Sequence, residues 1–461
     1  MTADAPNYAP KGMKTFLTIW IGQLISMVGS GLTDFALGVW MYEQTGQATP
    51  FALTVLFSSL PRVLLAPIAG SLADRWNRKR IMILTDTASA LVTLAVVVLL
   101  FSGQLAVWHI YLIALIHSIF GAFQEPAYRA SVVMLVSKEN LGRANGLAQA
   151  GHALEVLIAP LLAGGLLQVI GMRGIILIDF VTFFFAVGAL LIVRIPQPEV
   201  TPSEAKSRAE TVWNDARFGW RYLRERVGLL GLVLYFAMVN FLLNFAMVLL
   251  GPMILAFSST SALGAAQMAG GLGMLGGSLL MSAWGGPKRR IHGVIGFIAL
   301  VAVGLVVMGL YPSSLLIIAG AVLMMFSVPL ASGASQAISQ SKIDPAAQGR
   351  TSATTSMISR SMMPIAYLSA GPLADRVFEP MMREGGALAN TFLGQIGGTG
   401  PGRGIGLLLV SSGLLLLVVT ALAYANPRIR LIEDELPDYA QDEAGEAEQD
   451  MPLDAVPEPA D

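Results

Sequence analysis

The chain has 461 residues, of which 54% are hydrophobic and only 13% are charged, and its formal net charge is −1. Soluble domains carry about 25% charged residues, so this composition excludes an ordinary soluble domain. The near-neutral charge indicates no nucleic-acid partner, and the absence of cysteine excludes disulfides and thiolate metal sites.

Apolar runs of about 20 residues alternate with short polar turns, a pattern typical of membrane-spanning helices. The runs lack the strict alternation of barrel strands, so the predicted fold class is an all-α integral membrane protein. The first run is long enough to span and is interpreted as an uncleaved helix. Twelve spans are predicted, near Thr15–Tyr42, Pro50–Ala73, Arg80–Phe101, Ala106–Val136, Leu141–Ile170, Gly174–Arg194, Val227–Phe257, Ala262–Trp284, Ile291–Leu310, Ser314–Ser335, Gly349–Arg376 and Gly404–Asn426.

These spans divide the chain into five regions. They are a cytoplasmic tail (1–14), a six-helix bundle (15–195), a central cytoplasmic loop (196–226), a second six-helix bundle (227–426) and an acidic tail (427–461). Lysine and arginine concentrate on segments that share a side with the N-terminus, so both termini are predicted in the cytoplasm. The central loop contains an amphipathic helix around Trp213 and Trp220, interpreted as lying on the membrane surface. The acidic tail is predicted to be disordered.

The two bundles repeat each other in sequence. At an offset of 207 residues, Gly142-Arg143 aligns with Gly349-Arg350, Gly164 with Gly371, and Gly70–Leu72 with Gly277–Leu279. Three inserted residues then bring Arg80-Ile81 onto Arg290-Ile291. The repeat predicts two pseudo-symmetric bundles in the same orientation, an arrangement found in one large class of secondary transporters.

The turn between the second and third spans reads GSLADRWNRKR at Gly70–Arg80. It resembles the signature of the major facilitator superfamily, G-x-L-a-D-r-x-x-r-k-r, and the resemblance covers about residues 14–426. Within that superfamily the chain is similar to the drug:proton antiporters that include macrolide-efflux proteins and siderophore exporters. LPRVLLAPIAGSLADR, FGAFQEPAYRASVVMLV and LGRANGLAQ carry this narrower resemblance. The helix 5 motif of efflux members is matched in part, by Ala159-Pro160 and Gly164-Gly165, and Pro160 and Gly164 are predicted to allow a bend.

The charged turn resists translocation and so sets topology. The resemblance implies that it also acts as a latch, in which an acid at the end of helix 2 holds the cytoplasmic side closed. The alternative is that the turn only anchors the helices at the lipid headgroups. The latch is predicted to contain Gly70, Asp74, Arg75, Arg78, Arg80, Asp86 and Arg129.

Ionisable residues within the spans cost free energy in hydrocarbon, so each is a candidate functional residue. The candidates for proton coupling or substrate binding are Asp34, Arg62, Glu125, Glu155, Asp179 and Arg360. Asp34 and Glu155 are the first choices for a carboxylate that alternately binds and releases a proton. The competing interpretations are a static Asp34–Arg62 pair, a fixed Glu125–Arg129 pair and a hydrogen-bonding role for Asp179. His152 and Glu155 have the spacing of a metal pair, but no second cluster completes a metal site.

The sequence therefore predicts a proton-coupled exporter of amphipathic small molecules in a prokaryotic inner membrane, working by alternating access. The predicted partners are a macrolide-like drug or other natural product, protons and membrane lipid, with a monomer as the expected state. No cofactor and no enzymatic activity are expected. A siderophore or peptide exporter, a nutrient-uptake carrier and a non-transporting membrane sensor or scaffold remain as alternatives.

Overall fold

The computed structural model describes residues 12–137, 140–193, 195 and 217–436, and within these ranges the regular structure is helical throughout. The first bundle contains α1 (Met13–Thr45), α2 (Ala48–Arg75), α3 (Arg78–Phe101), α4 (Val107–Leu135), α5 (Leu141–Val169) and α6 (Gly171–Ile192). The second contains α7 (Val227–Phe257), α8 (Thr260–Trp284), α9 (Arg290–Leu310), α10 (Ser314–Lys342), α11 (Pro345–Arg360), α12 (Met363–Leu373) and α13 (Arg403–Ala425).

Ten helices of the described part are long and apolar enough to cross a membrane. The remaining predicted spans form α8, which is rich in glycine, and the α11–α12 pair, which is rich in serine and threonine at its start. The span predicted at Gly349–Arg376 is broken between Arg360 and Met363. Pro364 explains the break, because its nitrogen has no hydrogen to donate to the preceding turn.

The helices run between two opposite ends of the molecule. We call the end at which α1 begins and α2 ends the basic face. We call the other end, at which α1 ends and α2 begins, the far face. The basic face carries the turn at Trp76–Asn77 and the start of α9. The far face carries the turns at 46–47, 102–106 and 258–259, and the segment that joins α12 to α13.

The two bundles share one helix pattern, but the offset between them is not constant. α1 ends at Thr45 and α7 at Phe257, and α3 begins at Arg78 and α9 at Arg290, so the early offset is 212 residues. It falls to 207 for α4 and α10, because α3 has 24 residues against 21 in α9 and the following turn is also longer. The proposed alignments of Gly70–Leu72 with Gly277–Leu279 and of Arg80-Ile81 with Arg290-Ile291 are therefore wrong, and Arg78 is the equivalent of Arg290.

An arginine at the start of the third helix makes the same contact in both bundles. Arg78 Nη1 donates to the carbonyl oxygen of Ala130 in α4 at 3.2 Å. Arg290 Nη1 donates to the carbonyl oxygen of Ala337 in α10 at 3.0 Å and to the Ser341 hydroxyl at 3.1 Å. The repeat thus extends from helix order to individual side chains.

The central loop and the acidic tail each contain a helical segment that packs on the rest of the protein. Residues 217–225 are helical and pack on the second bundle, where the guanidinium of Arg350 lies 3.9 Å from the ring centre of Phe218. One face of this helix packs on protein while Trp220 on it is exposed, so its location at the membrane surface stays a prediction. Trp213 lies outside the described residues. The prediction of disorder for 427–461 is wrong for 427–436, which forms the turns Pro427–Arg430 and Ile432–Glu435.

The second of these turns caps α9. The Glu433 carboxylate accepts the backbone N–H groups of Arg290 at 3.2 Å and Ile291 at 2.9 Å. The ammonium of Lys342 donates to the carbonyl oxygens of Glu433 at 2.6 Å and Leu436 at 2.5 Å. An anion is favoured here because the first N–H groups of a helix have no partner within it.

We expect Glu433→Ala to lower the free energy of unfolding by about 1 kcal/mol, because two N–H groups at the start of α9 lose their acceptor. Asp434→Ala is the matched control, since the pair of Asp434 with Arg289, at 3.7 Å, is largely exposed. Thermal unfolding in detergent measures both. Equal melting temperatures for the two variants would contradict the capping role.

Candidate functional site

A cavity of about 290 Å³ lies within the first bundle, and its lining residues come from α1–α6. Polar side chains line its wall because they recur three or four residues apart, which places them on one face of each helix. On α1 this spacing aligns Gln23, Met27, Ser30 and Asp34, and on α4 it aligns His117, Gly121, Gln124 and Tyr128. Five predicted functional residues line the cavity: Asp34, Arg62, Asp86, Glu125 and Glu155.

Asp86 belongs to this cavity rather than to the charged turn. Gln23 Nε2 donates to Asp86 Oδ2 at 2.9 Å, and the amide nitrogen of Gln124 donates to Asp86 Oδ1. The same nitrogen lies 3.2 Å from Gln23 Oε1. Asp86 is only 3% exposed. In this conformation its two oxygens are bound by α1 and α4, and its part in the latch stays a prediction.

Glu155 and Asp34 approach each other across the cavity. A Cβ at Gly31, one turn before Asp34, would lie 3.5 Å from Glu155 Cγ. Glu155 Oε2 is 3.5 Å from His152 Nδ1. Arg62 packs over Gly121 of α4, where a Cβ would lie 3.2 Å from Arg62 Nε. Among the described residues Asp34 and Arg62 form no ion pair within 4.0 Å, so the structure does not contain the static pair considered from the sequence.

Glu125 and Arg129 form a pair within α4, with Arg129 Nη2 at 2.6 Å from Glu125 Oε1. Their side chains are 52% and 72% exposed, so the cavity opens to the outside at this point, towards the basic face. Arg129 was predicted to lie in the latch. In this structure it binds Glu125 at the cavity mouth instead.

Two candidates lie away from the cavity. Asp179 of α6 is fully buried against α1, where the Ser30 hydroxyl donates to its Oδ1 at 3.2 Å, and Asp179 Oδ2 has no hydrogen-bond partner among the described residues. Arg360 is the last residue of α11, is exposed and does not line the cavity. The structure therefore separates these two residues from the other four candidates.

The charged turn is anchored to its own bundle. Besides the contact of Arg78 with α4, Lys79 Nζ donates to the carbonyl oxygens of Leu191 at 3.2 Å and Val193 at 2.6 Å, at the end of α6. Asn77 Oδ1 accepts the backbone N–H of Arg80. The side chains of Gly70, Asp74 and Arg75 lie outside the described part of the chain, so their role in a latch stays a prediction.

The second bundle has no equivalent of this polar wall. At the offsets given above, Asp34 corresponds to Ala246 and Asp86 to Ile298. Gln124 corresponds to Ala331. The pseudo-symmetric halves therefore differ chemically, because apolar residues stand at the positions equivalent to these polar residues.

At the far face the two bundles meet through α5 and α8. A Cβ at Gly164 would lie 2.9 Å from the carbonyl oxygen of Thr260, and one at Gly264 would lie 2.4 Å from the carbonyl oxygen of Pro160. Such contacts are too short for any side chain larger than glycine. Pro160 and Gly164 lie within one continuous helix, so Gly164 serves this close packing between bundles in addition to any bend.

A second contact between the bundles joins α12 to the start of α2. A Cβ at Gly371 would lie 2.4 Å from Thr49 Cα. Asp375 then caps α2, because its carboxylate accepts the backbone N–H groups of Ala48 at 2.8 Å and Thr49 at 2.7 Å, together with the Thr49 hydroxyl. The far face is therefore closed in this structure, while the cavity opens towards the basic face.

Asp375 lies in the π-helical segment Ala374–Phe378, and Glu379 follows one turn later. Glu379 accepts the backbone N–H groups of Gly402 at 3.2 Å and Ile405 at 3.0 Å, within its own bundle. Burial raises the pKa of Glu379, and these two N–H groups oppose the rise. Sequence reasoning missed both carboxylates, because nothing local in the sequence marks the distant helix starts that they cap.

Comparison with known proteins gives a family. The family model of the Major Facilitator Superfamily matches residues 19–367. Macrolide efflux protein A of Streptococcus pyogenes is 30% identical over 367 residues, which cover 78% of this chain and 90% of that protein. The protein of the same name from Enterococcus faecalis is 30% identical over 69% of this chain and 99% of its own length. Enterobactin exporter EntS of Salmonella typhi is 26% identical over 33% of this chain and 37% of its own length.

Solved structures share the fold. A bacterial homologue of the human lysosomal transporter Spinster, in an inward-facing and unoccupied conformation, aligns with a TM-score of 0.66 at 15% identity, covering 94% of this chain and 100% of that one. A bacterial homologue of the iron transporter ferroportin, also inward-facing, aligns with a TM-score of 0.60 at 14% identity, covering 89% and 98%. At this identity the likeness concerns the fold alone.

Proposed function

The chain belongs to the Major Facilitator Superfamily, and from this premise we propose that it exports amphipathic small molecules in exchange for protons. It is a multi-pass membrane protein and a small-molecule transporter, not an enzyme. The observation that carries the proposal is the acid-lined cavity of the first bundle, open at one face and closed at the other by contacts between the bundles.

This geometry supports alternating access. The contacts of α5 with α8 and of α12 with α2 exist only while the far face is closed. Release of a substrate at the far face requires both to separate as the bundles tilt. By the positive-inside rule, the lysine and arginine residues of the basic face support a cytoplasmic location for that face. The structure then corresponds to the state that loads substrate from the cytoplasm.

The cavity wall supports an amphipathic substrate. Trp20, Met27 and Phe183 offer apolar surface beside the carboxylates of Asp34 and Glu155. We propose that these two carboxylates contact the substrate, and that protons bind among the acids of the same wall. Macrolides are the first substrate class to test, since the relatives of highest identity given above are macrolide efflux proteins. A siderophore is the second, on the weaker likeness to an enterobactin exporter.

The test uses purified protein in proteoliposomes, with radiolabelled erythromycin as the macrolide and an imposed pH gradient. We expect gradient-driven erythromycin movement, reduced at least tenfold by Asp34→Asn and by Glu155→Gln. Glu43→Gln is the matched control, because it neutralises an exposed acid near the far end of α1 outside the cavity. Movement no faster than in empty liposomes would contradict macrolide export, and movement of enterobactin instead would assign the siderophore class.

A further inference from the structure

We propose that Asp86, held between Gln23 and Gln124, binds the proton that is exchanged for substrate, while Asp34 and Glu155 contact the substrate itself. This inference rests on the proton-driven transport proposed above and assigns one residue within it. The sequence predicted a latch role for Asp86 in helix 3, so its position in the cavity wall is new information from the structure.

The first argument is the nature of its partners. Glu125 has Arg129 at 2.6 Å and Glu155 has His152 at 3.5 Å, so each of these acids has a basic partner. The hydrogen-bond partners of Asp86 in the described chain are two neutral amides. A carboxylate without a counter-charge is costly in a buried membrane site, and taking up a proton removes that cost.

The second argument is that the amides suit both protonation states. When Asp86 is ionised, the NH2 groups of Gln23 and Gln124 donate to its two oxygens, as in this structure. When Asp86 is protonated, rotation of either amide presents its oxygen as the acceptor of the new O–H. An arginine or lysine partner could only donate, so it would favour the ionised form alone.

The third argument is the charge around the site. Besides the two amides, the charged or titratable side chains of the same cavity are Asp34 on α1, Arg62 on α2, His117, Glu125 and Tyr128 on α4, and His152 and Glu155 on α5. From α6, which also packs on α3, the cavity receives Phe183, while Asp179 is buried against α1. Asp86 therefore shares one electrostatic environment with the substrate-facing acids without being paired to a base.

The fourth argument is mechanical. Gln23 belongs to α1, Asp86 to α3 and Gln124 to α4, and α1 also carries Asp34 further along the cavity. A change in the hydrogen bonds of Asp86 therefore acts directly on three helices that form the cavity wall. Proton uptake at Asp86 and substrate binding at Asp34 are thus linked through one helix.

The experiment separates gradient-driven transport from exchange, in proteoliposomes that contain erythromycin and the pH indicator pyranine. We expect Asp86→Asn, which fixes the neutral form, to keep erythromycin–erythromycin exchange within twofold of wild type. Gradient-driven accumulation should fall at least tenfold, and the pyranine signal that accompanies transport should be lost. Asp86→Glu, which retains a carboxyl group, should restore part of both signals.

Glu43→Gln is the matched control, because it neutralises an exposed acid near the far end of α1 that does not line the cavity, and it should leave both signals within twofold of wild type. If the Asp86→Asn variant accumulates erythromycin as wild type does, the assignment of Asp86 as the proton-binding residue is overturned. Loss of exchange together with accumulation, at an unchanged melting temperature, would also overturn it and indicate a role in substrate binding. If wild type moves erythromycin without any response to pH, the proposed proton coupling itself fails, which is a different result.

Discussion

Gly164→Val is expected to lower erythromycin transport about tenfold, while Gly165→Val leaves it within twofold of wild type. At Gly164 a Cβ would lie 2.9 Å from the carbonyl oxygen of Thr260 and 3.2 Å from Ser261 Cα, both in the backbone of the other bundle. At Gly165 no heavy atom lies within 4 Å of that position. The two variants make the same change to helix propensity, one residue apart, so any difference between them reports the contact between the bundles.

The expected size follows from the cost of overpacking. Forcing additional carbon atoms into a filled contact costs about 1–3 kcal/mol, and each 1.4 kcal/mol changes an equilibrium tenfold. Since the contact exists only while the far face is closed, that cost shifts the population towards the state with the far face open. The shift should lower erythromycin transport by about tenfold, the value that corresponds to the lower part of this range.

Two spin labels measure the shift directly. The chain has no cysteine, so Gln104→Cys and Ala387→Cys place one label on each bundle at the far face without background labelling. Gly164→Val should lengthen the distance between the labels, and Gly165→Val should leave the wild-type distribution. An unchanged distance distribution in Gly164→Val would contradict the role of the α5–α8 contact in holding the far face closed.

Local patterns made much of the fold and part of the site predictable. Apolar runs gave the positions of the helices, and prolines marked interruptions, as at the start of α12. The pairs Glu125–Arg129 and His152–Glu155 were visible because residues three or four apart meet on one helix face. The signature turn gave the family, and the family model over residues 19–367 confirms it.

Contacts between distant helices could not be predicted in the same way. Gln23 and Asp86 are 63 residues apart, and Ala48 and Asp375 are 327 apart. A single sequence gives the helix face of each residue but not which face of another helix it meets. The glycine matches between the bundles misled for a related reason, because short matches can align in sequence where the helix positions do not correspond.

Asp375→Ala is expected to open the far face, whereas Glu379→Ala is expected to weaken the fold without opening it. The two carboxylates lie one turn apart, and each accepts backbone N–H groups at the start of a helix. Asp375 caps α2 of the other bundle, while Glu379 caps α13 of its own. The pair therefore separates the effect of losing a cap from the effect of losing a contact between bundles.

The expected loss at Asp375 is about 2 kcal/mol, because two N–H groups and a hydroxyl lose an ionised acceptor at a helix start. That value corresponds to about a 30-fold change in the balance between the far-closed and far-open states. The labels at positions 104 and 387 should therefore report a longer distance in Asp375→Ala and the wild-type distance in Glu379→Ala. Glu379→Ala should instead lower the melting temperature in detergent. A lengthened distance in both variants would mean that the segment carrying them acts as one structural unit, and that Asp375 does not hold the bundles together by itself.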